Sequence, residues 1–220
     1  MRKKADPKAR NPKAELPGKS PAKMPEAKKG FPIVGIGASA GGLEALETFF
    51  SNVPEKTGMA FVVIQHLSPK HKSILGDILK RDTPIPVQEI HDGMNLEPDC
   101  IYLNPPDREV AIYKRVFHLV EAFKEGRAAR LPIDYFFRSL AEDQGERAIC
   151  IVLSGTGSDG TLGLEAVKGA GGMTMAQVEE QAKYPFMPRS AIDTGLVDRI
   201  LPVEKMPEEL LRYVSHPYLE

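Results

Sequence analysis

From Phe31 onward, short apolar runs alternate with stretches in which large apolar residues recur every three or four positions. This alternation predicts an α/β fold, a doubly wound, mostly parallel sheet flanked by helices, with an antiparallel hairpin in its middle section. Residues 31–36 form the first strand-like run, and Leu43, Leu46, Phe49, Phe50 and Val53 then follow a helical period, which predicts a helix over 42–53. A buried-strand run at 59–64 closes with Gln65 and His66 and leads to a helix over 72–81 that buries Ile74, Leu75, Ile78 and Leu79. Short strands are expected at 86–90 and 100–103, and a hairpin at 109–120 turns near Lys114 and Arg115 without the Asn-Gly pair that would fix its register. A helix over 133–143 turns Phe136, Phe137, Leu140 and Ala141 inward, followed by a strand at 148–153, a glycine-rich loop and a helix over 161–170. A strand at 197–201 and a helix over 204–214 close the pattern.

Composition changes this picture at one end. The chain has 220 residues and a net charge of −1, but residues 1–30 carry ten Lys or Arg, three acids and five prolines, leaving 19 basic against 27 acidic side chains in the remainder. So basic and Pro-rich a segment buries too little apolar area to offset its ordering entropy, and residues 1–30 are expected to form a disordered Lys/Pro-rich tail before one catalytic-size domain, 31–215. The acidic balance of the remainder gives no reason to expect nucleic acid, whereas the tail suits a solvated extension or a tether to an acidic partner or a nucleic acid. No apolar run reaches membrane-spanning length and no secretory core is found near the N-terminus, so a cytoplasmic protein without membrane insertion is expected. Cys100 and Cys150 have no metal-like spacing and read as reduced structural residues.

The candidate chemistry lies where strands end. In a parallel sheet the carboxyl ends of the strands share one edge, and ligands bind there. Ser39 follows the first strand, His66 ends the second, and Asp159 follows the strand that ends near Leu153. Ser, His and Asp at one crevice are the parts for acyl transfer: imidazole takes the hydroxyl proton, and carboxylate orients the imidazole. Backbone N–H groups of Ala40, Thr156 and Gly157, in glycine-rich turns, are candidates for an oxyanion hole. The same turn has a second reading, because Gly35-x-Gly37-x-x-Ala40 matches a dinucleotide-binding turn while Gly37-x-Ser39-x-Gly41 matches a nucleophile elbow. The acidic residue a dinucleotide turn expects at the end of the second strand is missing from Gln65-His66-Leu67-Ser68. Each residue also has a plainer role open to it: Ser39 and Asp159 as helix N-caps, His66 as a strand-end histidine. His71, His91, His118 and His216 read as surface groups, and no metal or organic cofactor is expected, since His66, His71 and His91 lack ligand spacing.

Four motifs in order, Gly37-Ala38-Ser39-Ala40-Gly41-Gly42, Gln65-His66, Leu153-Ser154-Gly155-Thr156-Gly157-Ser158-Asp159-Gly160 and Met187-Pro188-Arg189-Ser190-Ala191, resemble the catalytic domain of chemotaxis receptor methylesterases, the CheB family. The resemblance implies Ser39 as nucleophile, His66 as general base and acid, Asp159 as its orienting carboxylate, and Met187, Pro188 and Arg189 as substrate-cleft candidates. It implies hydrolysis of glutamate γ-methyl esters, with glutamine deamidation as a related activity, on the cytoplasmic helices of a methyl-accepting chemoreceptor or receptor-like protein. A non-catalytic module of the same fold that binds a receptor or signalling partner is the competing reading. Members of the family usually carry an N-terminal receiver domain; the tail stands in its place here, so control is expected from a separate or fused receiver, methyltransferase or sensor module. Ala40 replaces the family's usual Thr and Thr156 its usual Met, changes that leave main-chain donation intact.

Overall fold

The computed structural model describes residues 30–67, 74–121 and 131–215. Residues 1–29 of the expected tail, residues 72 and 73 of the expected 72–81 helix, Ser68, His71 and His216 lie outside them. In chain order the elements are β1 (Ile33–Ala38), α1 (Gly42–Ser51), β2 (Ala60–Gln65), α2 (Leu75–Asp82), β3 (Val87–Glu89), β4 (Cys100–Leu103), β5 (Arg108–Tyr113), β6 (Val116–Glu121), α3 (Pro132–Gln144), β7 (Ala148–Val152), α4 (Thr161–Gly169), β8 (Met173–Gln177), α5 (Phe186–Asp193), β9 (Arg199–Leu201) and α6 (Met206–Val214). Seven strands pair in the order β3–β4–β2–β1–β7–β8–β9, every neighbouring pair parallel. The chain works outward from β1 on one side and returns as β7 on the other, so the topological switch lies between β1 and β7. That is where a doubly wound sheet opens a crevice.

Strand alternation sorts the core into two layers. Val34 and Ile36 of β1, Phe61 and Val63 of β2, and Ile149 and Ile151 of β7 pack under α1, α2 and α6. Ala60, Val62, Ala148, Cys150 and Val152 face the other way, toward α3, α4, α5 and the β5–β6 hairpin. Both faces of the central strands are thus covered, which is why they read as continuous apolar runs.

Several expectations need correction. Ile74, expected inside, is 61% exposed, and α2 is held by Leu75 and Leu79 instead. β8 and α5 were not expected at all. Met173-Thr174-Met175-Ala176-Gln177 has little of the β-branched or aromatic character that marks a strand, and it is a strand because it is buried on both sides between β7 and β9. α5 carries Pro188 in its first turn, where a missing N–H costs no helical hydrogen bond. The hairpin turns at Lys114 and Arg115, both in the left-handed region at φ 50° and 61°. Tertiary contacts replace the missing Asn-Gly: Asp143 accepts both N–H groups of the turn, and the Arg115 guanidinium donates to Phe31 O and Gln144 Oε1 at 3.1 Å each while lying over the Phe31 ring.

Asp198 ties the far edge of the sheet together. It pairs with Lys168 of α4 and accepts the N–H and hydroxyl of Thr174 in β8. Burial by itself raises the Asp198 carboxyl, but the Lys168 ammonium and the Thr174 donors outweigh it and hold the group below its ordinary value. A carboxyl that titrates lower when folded contributes stability above its unfolded pKa and loses it as pH falls through the folded one. Asp198→Asn is therefore expected to lower unfolding free energy by about 1–2 kcal/mol near neutral pH. In urea titrations the gap from wild type should narrow toward acid; a constant gap would contradict the account.

Candidate active site

Ser39 is the first residue past β1, in the turn that enters α1. Its N–H donates to Ser154 O at 3.0 Å and its carbonyl accepts the Gly42 N–H at 2.9 Å. Gly41 sits at φ +70°, and a Cβ there would lie 2.8 Å from Lys183 Cβ and 2.9 Å from Ser154 Oγ. Gly35 and Gly37, by contrast, lie inside β1. A Cβ on Gly37 would come within 2.4 Å of Ile133 Cγ2, and one on Gly35 within 3.0 Å of Leu140, Phe136 and Phe137. These two glycines let α3 rest directly on the strand. The glycine spacing that suggested a dinucleotide turn is thus accounted for by helix packing.

His66 follows β2 directly, and the strand end that delivers it is clipped by Asn104. The Asn104 side chain accepts the Gln65 N–H at 2.9 Å and donates to the Gln65 carbonyl at 3.0 Å, so a buried amide extends the β2–β4 pairing by one residue. His66 Nδ1 lies 3.1 Å from Ser39 Oγ, and Nε2 lies 2.9 Å from Asp159 Oδ2. A carboxylate accepts only, so Nε2 carries the proton and Nδ1 offers its lone pair to the serine hydroxyl. The ring is used the opposite way round from the arrangement in which Nε2 faces the serine.

Asp159 is 2% exposed and lies in the loop after β7. Sequence reading allowed it to cap the helix that follows; it caps α3 instead, accepting the N–H groups of Ile133 at 3.0 Å and Asp134 at 2.9 Å. The positive end of α3 therefore faces the carboxylate that grips His66. The cap of α4 comes in exchange from Asp134, which accepts the Gly163 N–H at 2.7 Å.

Two peptide units beside Ser39 have carbonyls turned into the protein. Ser39 O accepts from Gly42, and Gly155 O accepts the Met187 N–H at 3.1 Å. In a trans peptide the N–H points opposite its carbonyl, so the N–H groups of Ala40 and Thr156 point away from those anchors. Among the described residues nothing accepts either of them. Gly157, at φ +83°, has no comparable anchor on its preceding carbonyl among the described residues. Ser154, 1% exposed, joins the loops: its hydroxyl donates to Ala40 O at 2.9 Å and accepts the Tyr184 N–H at 3.0 Å, while its own N–H donates to Gln177 Oε1 at 2.8 Å.

The cleft candidates from sequence are placed differently from one another. Met187 and Pro188 are buried, packed behind the site and not open to a substrate, because α5 folds under the Gly155 loop. Arg189 is exposed and pairs with Glu179 at 2.6 Å. A small cleft beside His66 is lined by Gln65, Leu67, Asn104, Pro105 and Pro132. A larger one of about 300 Å³ continues along α2 past Lys80 and Gln88; neither is lined by Ser39. Sequence reasoning missed Ser154, Asn104, Asp134 and Gln177. Asn104 was findable, since it is a polar residue just past the carboxyl end of an expected strand; Gln177 was not, because the strand it ends had no local signal.

A doubly wound α/β domain with Ser39, His66 and Asp159 in hydrogen-bonded sequence beside its switch point has the geometry that acyl transfer through a serine requires. The comparisons make this specific. The CheB methylesterase family matches residues 34–210, and the chain belongs to that family. The crystal structure of the Thermotoga maritima CheB methylesterase catalytic domain superposes with a TM-score of 0.79 at 31% identity, covering 84% of this chain and all of that one. A protein-glutamate methylesterase/protein-glutamine glutaminase of Carboxydothermus hydrogenoformans is 35% identical over 83% of this chain and 55% of its own length. An uncharacterized 104.1 kDa protein of Rhodobacter capsulatus is 43% identical over 64% of this chain and 14% of its own length. The chain thus spans about half the length of the first of these two relatives and a small part of the second.

Gly155→Ala is the direct probe of the loop that approaches Ser39. The added Cβ would meet Met187 Sδ at 2.0 Å and Ser39 Cβ at 3.0 Å. Overpacking of this kind is expected to cost about 1–3 kcal/mol in urea unfolding; wild-type stability would show that the loop is looser than described.

Proposed function

We propose that this chain hydrolyses glutamate γ-methyl esters on a partner protein, with Ser39, His66 and Asp159 as its catalytic residues. The observation that carries this reading is the continuous hydrogen-bonded line from Ser39 Oγ through His66 to Asp159, in a chain of the CheB methylesterase family. Ser39 Oγ attacks the ester carbonyl while His66 Nδ1 takes its proton. The resulting oxyanion accepts from the Ala40 and Thr156 N–H groups, with Gly157 as a further donor on the same loop. Collapse expels methoxide, which leaves as methanol on receiving the proton from Nδ1. Water, deprotonated by Nδ1, then attacks the glutamyl ester on Ser39; the collapse of that intermediate returns the proton to Ser39 and frees the glutamate carboxylate. Replacing methanol by ammonia gives the glutaminase chemistry found in the relatives' names.

The partner suited to this site is a methyl-accepting chemoreceptor or receptor-like protein. Ser39 is half-buried at the open edge of the sheet, a position accessible to a side chain presented by a large partner. Residues 31–215 are proposed as the catalytic unit, with residues 1–30 dispensable for chemistry. No helix among the described residues is long and apolar enough to cross a membrane. In a methanol-release assay on methylated receptor, Ser39→Ala is expected to lower kcat by at least about 10³-fold, and removal of residues 1–30 to leave turnover in place. Equal rates for wild type and Ser39→Ala would end the assignment.

A further inference from the structure

α3 and α4 begin side by side, and each supplies its neighbour's cap. Asp159, in the loop that opens α4, accepts two N–H groups from the first turn of α3. Asp134, in that first turn, accepts the Gly163 N–H from α4, and the Gly160 N–H also faces it. Asp134 is 4% exposed and touches neither Ser39 nor His66 by any hydrogen bond among the described residues. α3 and α4 are pressed too closely for a substitute arrangement: a Cβ on Gly163 would lie 2.5 Å from Phe137 Cβ and 3.0 Å from Asp134 Cα. The α4 end of the loop carrying Asp159 is therefore held twice, by its own carboxylate on α3 and by Asp134 on the residues that follow it.

We propose that Asp134 is a positioning residue for the reaction, fixing the Asp159 carboxylate at the distance at which it orients His66. The proposal rests on the methylesterase reading for its activity assay but not for its spectroscopic one. Only an acceptor-only side chain suits the place, because the Gly160 and Gly163 N–H groups both point at it. Burial pushes the Asp134 carboxyl above its ordinary value against the pull of the Gly163 N–H, and the neighbouring Asp159 charge adds to the rise; Arg138 is the cation that opposes it. Asparagine at 134 keeps one acceptor and turns a donor toward a donor, whereas alanine removes the cap entirely.

The experiment pairs kinetics with proton NMR of the His66 Nε2–H, observed in protein labelled with ¹⁵N-histidine. Asp134→Ala is expected to lower kcat for methanol release by about 10- to 100-fold with KM unchanged, and to broaden or shift the His66 proton signal. Asp134→Asn is expected to fall between this variant and wild type in both readouts. Wild-type kcat and an unchanged signal in both variants would overturn the proposal, as would a loss confined to KM. If Asp134→Ala does not fold, Asp134→Asn decides by the same two measurements. If the wild type itself releases no methanol, the substrate reading fails while the His66 signal still decides the role of Asp134.

Discussion

The seating of α3 on the backbone of β1 is the constraint from which the rest of the site follows. With side chains at positions 35 and 37 the helix would stand off from the sheet, and its N-terminus would move away from the loop that carries Asp159. Because both positions are glycine, Ile133, Phe136, Phe137 and Leu140 come down onto the strand and are fully buried. The first turn of α3 is then close enough to bind the Asp159 carboxylate. That carboxylate in turn holds the imidazole that reaches Ser39, so the packing of one helix and the alignment of three polar side chains form a single mechanical chain.

A second set of constraints acts on backbone rather than side chains. Gly42 and Met187 donate their N–H groups to the carbonyls of Ser39 and Gly155, and turn those peptide units so that the N–H groups of Ala40 and Thr156 look outward. Neither residue needs to meet a substrate for this purpose. A buried methionine and a buried glycine thus orient two main-chain dipoles at an open edge.

Much of this was legible in the sequence, and the part that was not has physical causes. Strands such as β1, β2 and β7 are rich in β-branched residues and buried on both faces, so their runs stand out. β8 is buried as deeply but is built from Met, Thr, Ala and Gln, and burial by neighbours leaves no local signal in such residues. Ser39, His66 and Asp159 could be placed at one edge from strand ends alone. The residues that hold them could not be assigned in the same way: the Gly163 N–H that Asp134 accepts lies 29 positions away, and the Ala40 carbonyl that the Ser154 hydroxyl reaches lies 114. The glycines of β1 were seen with two readings open, and spacing alone does not distinguish a ligand from a helix as the thing that needs the room.

The orientation of the His66 ring has a mechanical consequence. Nε2 is the ring nitrogen farther from the backbone, and it is the one Asp159 holds. A swing of the side chain about its first torsion displaces that atom most, so the carboxylate restrains the ring at the end of its longest lever. Nδ1, nearer the pivot, sweeps a shorter arc and stays beside Ser39 Oγ. A histidine that is 32% exposed on an open edge is thereby steadied by one deep contact, and the face it shows to solvent stays clear for whatever approaches.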